Sequence, residues 1–276
     1  MDHRIVNEST RFFKNVAKSQ LKGKWLNAAI AAGIFMLIVN IMDVIVSVLM
    51  LNTTTAFLSN IYYFLVYGPA TVGMCAYFMK LIRNEPNGLG SCFEGFETFG
   101  RSFSLGFFMI IFISLWTLLL IIPGIIAAYR YSLAPMLLRD RPDLSPLQCI
   151  SESKRLMRGN KANLFTLDIS FIGWMLLAMI PQVIVTLWIE MSVVNGEAAL
   201  STGMVSVINL ITLIPVLWVM AYMESANVVF YEEVIRPVPQ QFYTFDNSQE
   251  NVYEESKVLE ETEDNPTDGN TDERDN

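Results

Sequence analysis

The chain has 276 residues, 53% of them hydrophobic and only 17% charged, with a mean hydropathy of +0.39, which excludes an ordinary soluble domain and points to a membrane protein. Its net charge of -8 is misleading, because after Tyr243 twelve acids face only Lys257 and Arg274, a net -10, and the rest of the chain carries +2. The acidity therefore says nothing about what the membrane part binds, and a lone histidine, His3, with three scattered cysteines (Cys75, Cys92, Cys149) excludes a zinc site and a disulfide framework.

Residues 1–24 are polar and basic. Arg11, Lys14, Lys18 and Lys22 fall on one helical stripe and Phe13, Val16, Ala17 and Leu21 on another. Two readings fit: an amphipathic helix lying on an anionic surface, and a positively charged flank that orients the first span. That span runs over about 25–51, and it is too long for a signal-peptide core and lacks a small-residue cleavage site, so it is expected to be retained. An uncharged loop leads to a second span at about 61–82. Residues 83–102 mix glycines, turn residues and aromatics at a membrane boundary, and read as an interfacial loop plus a short helix. Their glycines match neither a phosphate loop nor a dinucleotide fingerprint.

The run from Phe103 to Leu138 is almost unbroken apolar sequence, and as one helix it would reach roughly 54 Å, well past a hydrocarbon core of about 30 Å. It must fold back. Pro123 and Gly124 predict the turn, giving a Pro-Gly helical hairpin with spans at about 103–121 and 125–139. Ser145, Pro146, Gln148 and Gly159 then bracket a second amphipathic helix with a capping box. The fifth and sixth spans lie at about 164–188 and 204–231, each with an internal proline, and residues 237–276 form an acidic tail expected to be disordered. The tail reads as a solvating extension or as a docking segment for a basic partner.

The fold class is therefore all-α, a polytopic membrane bundle of six transmembrane helices with amphipathic surface helices. With both termini cytoplasmic, the three connections left outside, including the hairpin turn, carry no Lys or Arg, whereas a five-span topology would export the six positive charges from Arg139 to Lys161. The positive-inside tendency selects six spans.

Charged residues inside spans are costly and mark candidate sites. Asp43 and Arg130 could lie at one depth and pair, as a structural clip or as a gate. Asp168 and Glu224 fall in the inner parts of the last two spans, where they could share a proton, meet Lys80, Arg158 or Lys161, or snorkel to water. No catalytic residue, metal site or cofactor is indicated: HExxH and GxSxG are absent, and Glu232-Glu233 lacks companion histidines.

Several ordered motifs carry a resemblance: Phe93-Glu94-Gly95-Phe96, Ile122-Pro123-Gly124-Ile125-Ile126, Tyr129 to Pro135, Ser151 to Lys161, Ser170 to Trp174 and Phe230-Tyr231-Glu232-Glu233. Over about residues 10–236 the chain resembles an uncharacterised bacterial integral membrane protein family, domain of unknown function 975. The hairpin and the serine-bearing helix after it are distantly similar to the membrane domains of glycerophosphodiester phosphodiesterases. Arg130 and the acidic tail depart from the family pattern. The resemblance implies a multi-pass protein of a bacterial cytoplasmic membrane and supplies no catalytic residue. The expected function is a non-enzymatic accessory or regulatory component of a lipid, envelope or transport system, with membrane lipids and a membrane protein as partners and no nucleic acid. The alternative is a small-solute, peptide or lipid transporter using Asp43, Arg130, Asp168 and Glu224. The sequence does not fix the oligomeric state.

Overall fold

The computed structural model describes residues 5–48, 53–194, 208 and 211–235, and these are all-helical, with six helices or broken helix pairs long and apolar enough to cross a membrane. The acidic tail, residues 49–52 between the first two spans and most of 195–210 lie outside the described residues. In chain order the elements are α1 (Thr10–Leu21), α2 (Trp25–Val48), α3 (Thr53–Ile82), a 3-10 turn (Leu89–Phe93), α4 (Glu94–Glu97), α5 (Phe99–Leu119), α6 (Ile121–Tyr131), α7 (Ala134–Asp140), α8 (Pro146–Leu156), α9 (Lys161–Val194) and α10 (Ile214–Ile235).

The helix α3 is the hub, touching α2, α5, α7, α10 and the segment from Leu89 to Glu97. From Gly68 to Ile82 its residues are buried on nearly every side. Glycines make that crowding possible. A Cβ on Gly68 would stand 3.2 Å from the Gly106 Cα, and one on Gly106 would stand 2.6 Å from the Gly68 Cα, so α3 and α5 cross almost backbone to backbone. This is the small-residue contact by which helices associate in lipid, where apolar side chains gain nothing from leaving water.

The apolar hairpin is present, but its turn is not at Pro123-Gly124. The helix breaks at Leu120, whose backbone is extended (φ -162°, ψ 146°), and Pro123 and Gly124 lie within the first turn of α6. A proline there loses only an N–H that would have no intrahelical partner, so it starts a helix rather than ending one. Gly124 serves packing, because a Cβ on it would come 2.9 Å from the Cα of Thr117. The pairings Thr117 with Gly124 and Phe112 with Tyr131 are centred on the same break, which makes α5 and α6 antiparallel.

The fourth span is also broken. After Tyr131 the chain turns at Ser132-Leu133 and resumes as α7, with Pro135 in its first turn. The freed backbone groups find a partner on α8: the Ser153 hydroxyl donates to the Arg130 carbonyl (2.9 Å) and accepts from the Leu133 N–H (3.2 Å). The α8 helix has the predicted capping box at Ser145 and Gln148, and Gly159 (φ +82°) turns the chain into α9. Pro215 likewise sits in the first turn of α10, one residue after that helix begins.

The amphipathic α1 is docked on the protein. Its apolar face, Phe13, Val16, Ala17 and Leu21, is buried against α10 and α9, with Phe13 edge-on to Phe230 at 5.5 Å. Lys14 reaches inward to donate to the Ser170 carbonyl (2.9 Å) and lies 4.4 Å from the centre of the Phe171 ring, and burial lowers its pKa. Arg11, Lys18 and Lys22 remain exposed. Of the two readings of this segment, neither anticipated that the bundle itself would use the apolar stripe.

The core is concentrated toward one end, where α1, α4, α7 and the last turns of α3 and α10 meet. Along α9 and at the α5–α6 tip, large apolar side chains face outward, among them Leu118, Ile121, Ile122, Leu176, Ile184 and Leu187. An apolar band of that extent is the surface a bilayer covers.

Candidate functional site

Asp168 lies two turns into α9 and Glu224 at the midpoint of α10, and the packing of those two helices brings both to one cavity of about 380 Å³. The third wall comes from α3 through Tyr67, Thr71 and Cys75, and the fourth from the α5–α6–α7 segment, including Ile113, Tyr129 and Ser132. The break between α6 and α7 widens the site, since an unbroken helix would carry its backbone straight past the position of Ser132.

The two acidic side chains of this cavity sit among the hydroxyl and amide groups of Tyr67, Thr71, Tyr129, Ser132 and Asn227. The Tyr129 hydroxyl donates to Asp168 Oδ2 at 3.0 Å, and Asn227 lies beside the same carboxylate. Asp168 Oδ1 and Asn227 Oδ1 are buried and accept no hydrogen bond from a described residue. Among the described residues no hydrogen-bond donor meets Glu224, and Asp168 is a charged group that acts on it. No Lys, Arg or His lines the cavity among the described residues. Lys80, one of the cations that the two carboxylates could have met, is instead bound to Glu94 and donates to Ser91 Oγ at 3.1 Å.

Arg130 is not among the described residues that line this cavity. Arg130 lies in the last turn of α6 and shows no ion pair with a described residue, and its backbone carbonyl is held by Ser153. The Asp43 side chain lies outside the described residues. The helix carrying it packs on α3 and α10, whereas α6 packs on α5, α8 and α9.

A second polar centre was not anticipated. Arg83, just past the end of α3, forks onto Asp140 with Nη1–Oδ1 at 2.7 Å and Nη2–Oδ2 at 2.6 Å, and donates through Nε to Glu232 at 2.7 Å. Tyr231 completes the cluster by donating to Asp140 at 2.8 Å. Burial disfavours the Arg83 charge, but its bonds to Asp140 and Glu232 outweigh that and hold its proton more firmly than in a free side chain. Next to it Arg139 spans Glu94 (3.5 Å) and Glu85 (3.6 Å). Glu94 is drawn both ways: burial raises its pKa, while Lys80, Ser91 and Arg139 lower it and prevail. The ends of α3, α7 and α10 and the loop before α5 are thus clamped together by charge. The three cysteines are buried and free, and burial pushes the Cys92 thiol up to about 11.

The cavity and the clamp are twelve ångströms apart along α10, since eight residues separate Glu224 from Glu232 at about 1.5 Å each. One is a cavity lined by two carboxyl groups and no described cation, and the other an ion-paired joint.

Among known proteins, the family model described as "Protein of unknown function (DUF975)" matches residues 8–127 and 117–237, and the chain belongs to that family. No curated protein and no solved structure matches it.

Proposed function

From a family that brings no assigned activity, we propose that this is a non-enzymatic multi-pass protein of a bacterial cytoplasmic membrane, with both termini cytoplasmic, that takes a small solute into its intramembrane cavity and passes it across the bilayer. The observation that carries the reading is the meeting of Asp168 and Glu224, from two helices, at one cavity with no Lys, Arg or His among its described lining residues. Carboxylates kept in spans at a cost of about 2.5–3.5 kcal/mol each on insertion scales are retained for what they bind. The volume of about 380 Å³ falls at the small end of ligand sites, which run from roughly 300 to 1,000 Å³. The location and orientation rest on the family resemblance and on the clustering of Lys and Arg at the N-terminus and between Arg139 and Lys161.

A second reading, an accessory component beside a lipid or envelope system, draws on the charged clamp, which rigidifies one end as a scaffold would, and on the likeness to glycerophosphodiester phosphodiesterase membrane domains. Native mass spectrometry of the full chain, purified from its own membranes in nanodiscs, separates the two. Retention of a small molecule that is lost when Ile113→Trp fills the cavity supports solute handling. Retention of a stoichiometric protein, indifferent to Ile113→Trp, would replace it with the accessory role.

A further inference from the structure

Resting on the solute-handling reading, we propose that the ligand of the cavity is a small organic monocation bearing several N–H donors, a protonated amine or an amidinium-like group. The chemistry of the walls selects it. Asp168 Oδ1 and Asn227 Oδ1 are buried acceptors without a described donor, Glu224 shares their cavity, and the groups converge from α9 and α10 on one space, the Asn227 side chain adding to the Tyr129 bond on the Asp168 carboxyl. Tyr129 is not available to satisfy them, because its hydroxyl is committed to Asp168 Oδ2. An anion entering this space would meet two carboxyl groups and, among the described residues, no positive side chain. A neutral amide would satisfy some acceptors and leave the charge uncompensated, at a cost that grows as water is excluded.

A monocation with two or more N–H groups donates to both carboxyl groups and to the Asn227 carbonyl and offsets one negative charge, which balances the site when one of the two carboxyls keeps its proton. The rings of Tyr67 and Tyr129 line the same cavity and offer faces that attract a cation. A bare metal ion fits less well. Among the described residues no three metal-ligating side chains gather in one place, and the volume greatly exceeds what a dehydrated ion fills.

The test uses the full chain in nanodiscs and isothermal titration with ethylammonium, guanidinium, acetamide and acetate, each at equal ionic strength. The expected result is binding of ethylammonium or guanidinium, at least tenfold weaker after Asp168→Asn or after Glu224→Gln, and abolished when both are changed or when Ile113→Trp fills the space. Acetamide and acetate are expected not to bind. Binding of acetamide or acetate that Ile113→Trp removes would overturn the cationic class while keeping the cavity as a solute site. Silence from every probe, together with native mass spectra that Ile113→Trp leaves unchanged, would overturn both. Cation binding unaffected by the two carboxylate substitutions would place it elsewhere on the protein and refute the assignment.

Discussion

Replacing Arg83 with alanine is the sharpest test of the packing. The side chain is 14% exposed, and its partners Asp140 and Glu232 are 18% and 8% exposed, so the cluster belongs with buried ion pairs rather than with surface pairs worth about 0–1 kcal/mol. Removing the guanidinium deletes three hydrogen bonds and leaves two carboxylates and the Tyr231 hydroxyl in place. Truncating one partner of such a cluster costs about 3–5 kcal/mol. Arg139, 4.0 Å from Asp140, offsets part of this, which places the expectation near 3 kcal/mol. Adding Asp140→Asn and Glu232→Gln to Arg83→Ala removes the stranded charges and is expected to recover at least half. Arg83→Lys keeps the charge, loses the fork and is expected to fall between. Unfolding in mixed micelles by detergent titration, followed by tryptophan fluorescence, reads all four proteins. A loss below about 1 kcal/mol for Arg83→Ala, or no recovery in the triple variant, would refute the clamp.

The remaining expectations concern single contacts. Because Glu94 has its carboxyl held below the usual range in the folded protein, its contribution is complete above the unfolded value near 4.3 and is lost as pH falls through the lower folded value. Glu94→Gln is therefore expected to flatten the acid limb of the stability curve measured from pH 7 to 3, and parallel curves for the two proteins would contradict this. Ser153→Ala leaves the Arg130 carbonyl and Leu133 N–H unmet at the α6–α7 break and should cost about 1–3 kcal/mol in the same titration. Gly106→Val drives a side chain into the Gly68 backbone and should lose folded protein on size-exclusion chromatography, whereas Gly100→Ala, with open space beside it, should not.

Much of this architecture was legible because it rests on local chemistry. The apolar run from Phe103 to Leu138 is too long for one span, and Ser145 with Gln148 is a capping pair wherever it occurs. The turn was placed three residues late because Pro123 can end one helix or open the next, and only the packing of Gly124 on Thr117 decides. Asp168 and Glu224 were visible as costly intramembrane charges. Their sharing of one cavity depends on how α9 rotates against α10, which neither helix's periodicity reveals. The clamp was hidden for a different reason. Arg83 lies 57 residues from Asp140 and 149 from Glu232, each at a helix end where charge is ordinary. The docking of α1 was hidden too, since an apolar stripe looks the same whether lipid or α10 covers it.

The central claim is that Asp168 and Glu224 serve a ligand and do not hold the fold together. The most direct measurement is the stability of the ligand-free full chain in nanodiscs against its Asp168→Asn/Glu224→Gln variant. Carboxylates kept for binding strain the empty protein, so the account predicts that the variant is at least as stable as the wild type. A loss of about 2 kcal/mol or more would show the pair to be structural and contradict it.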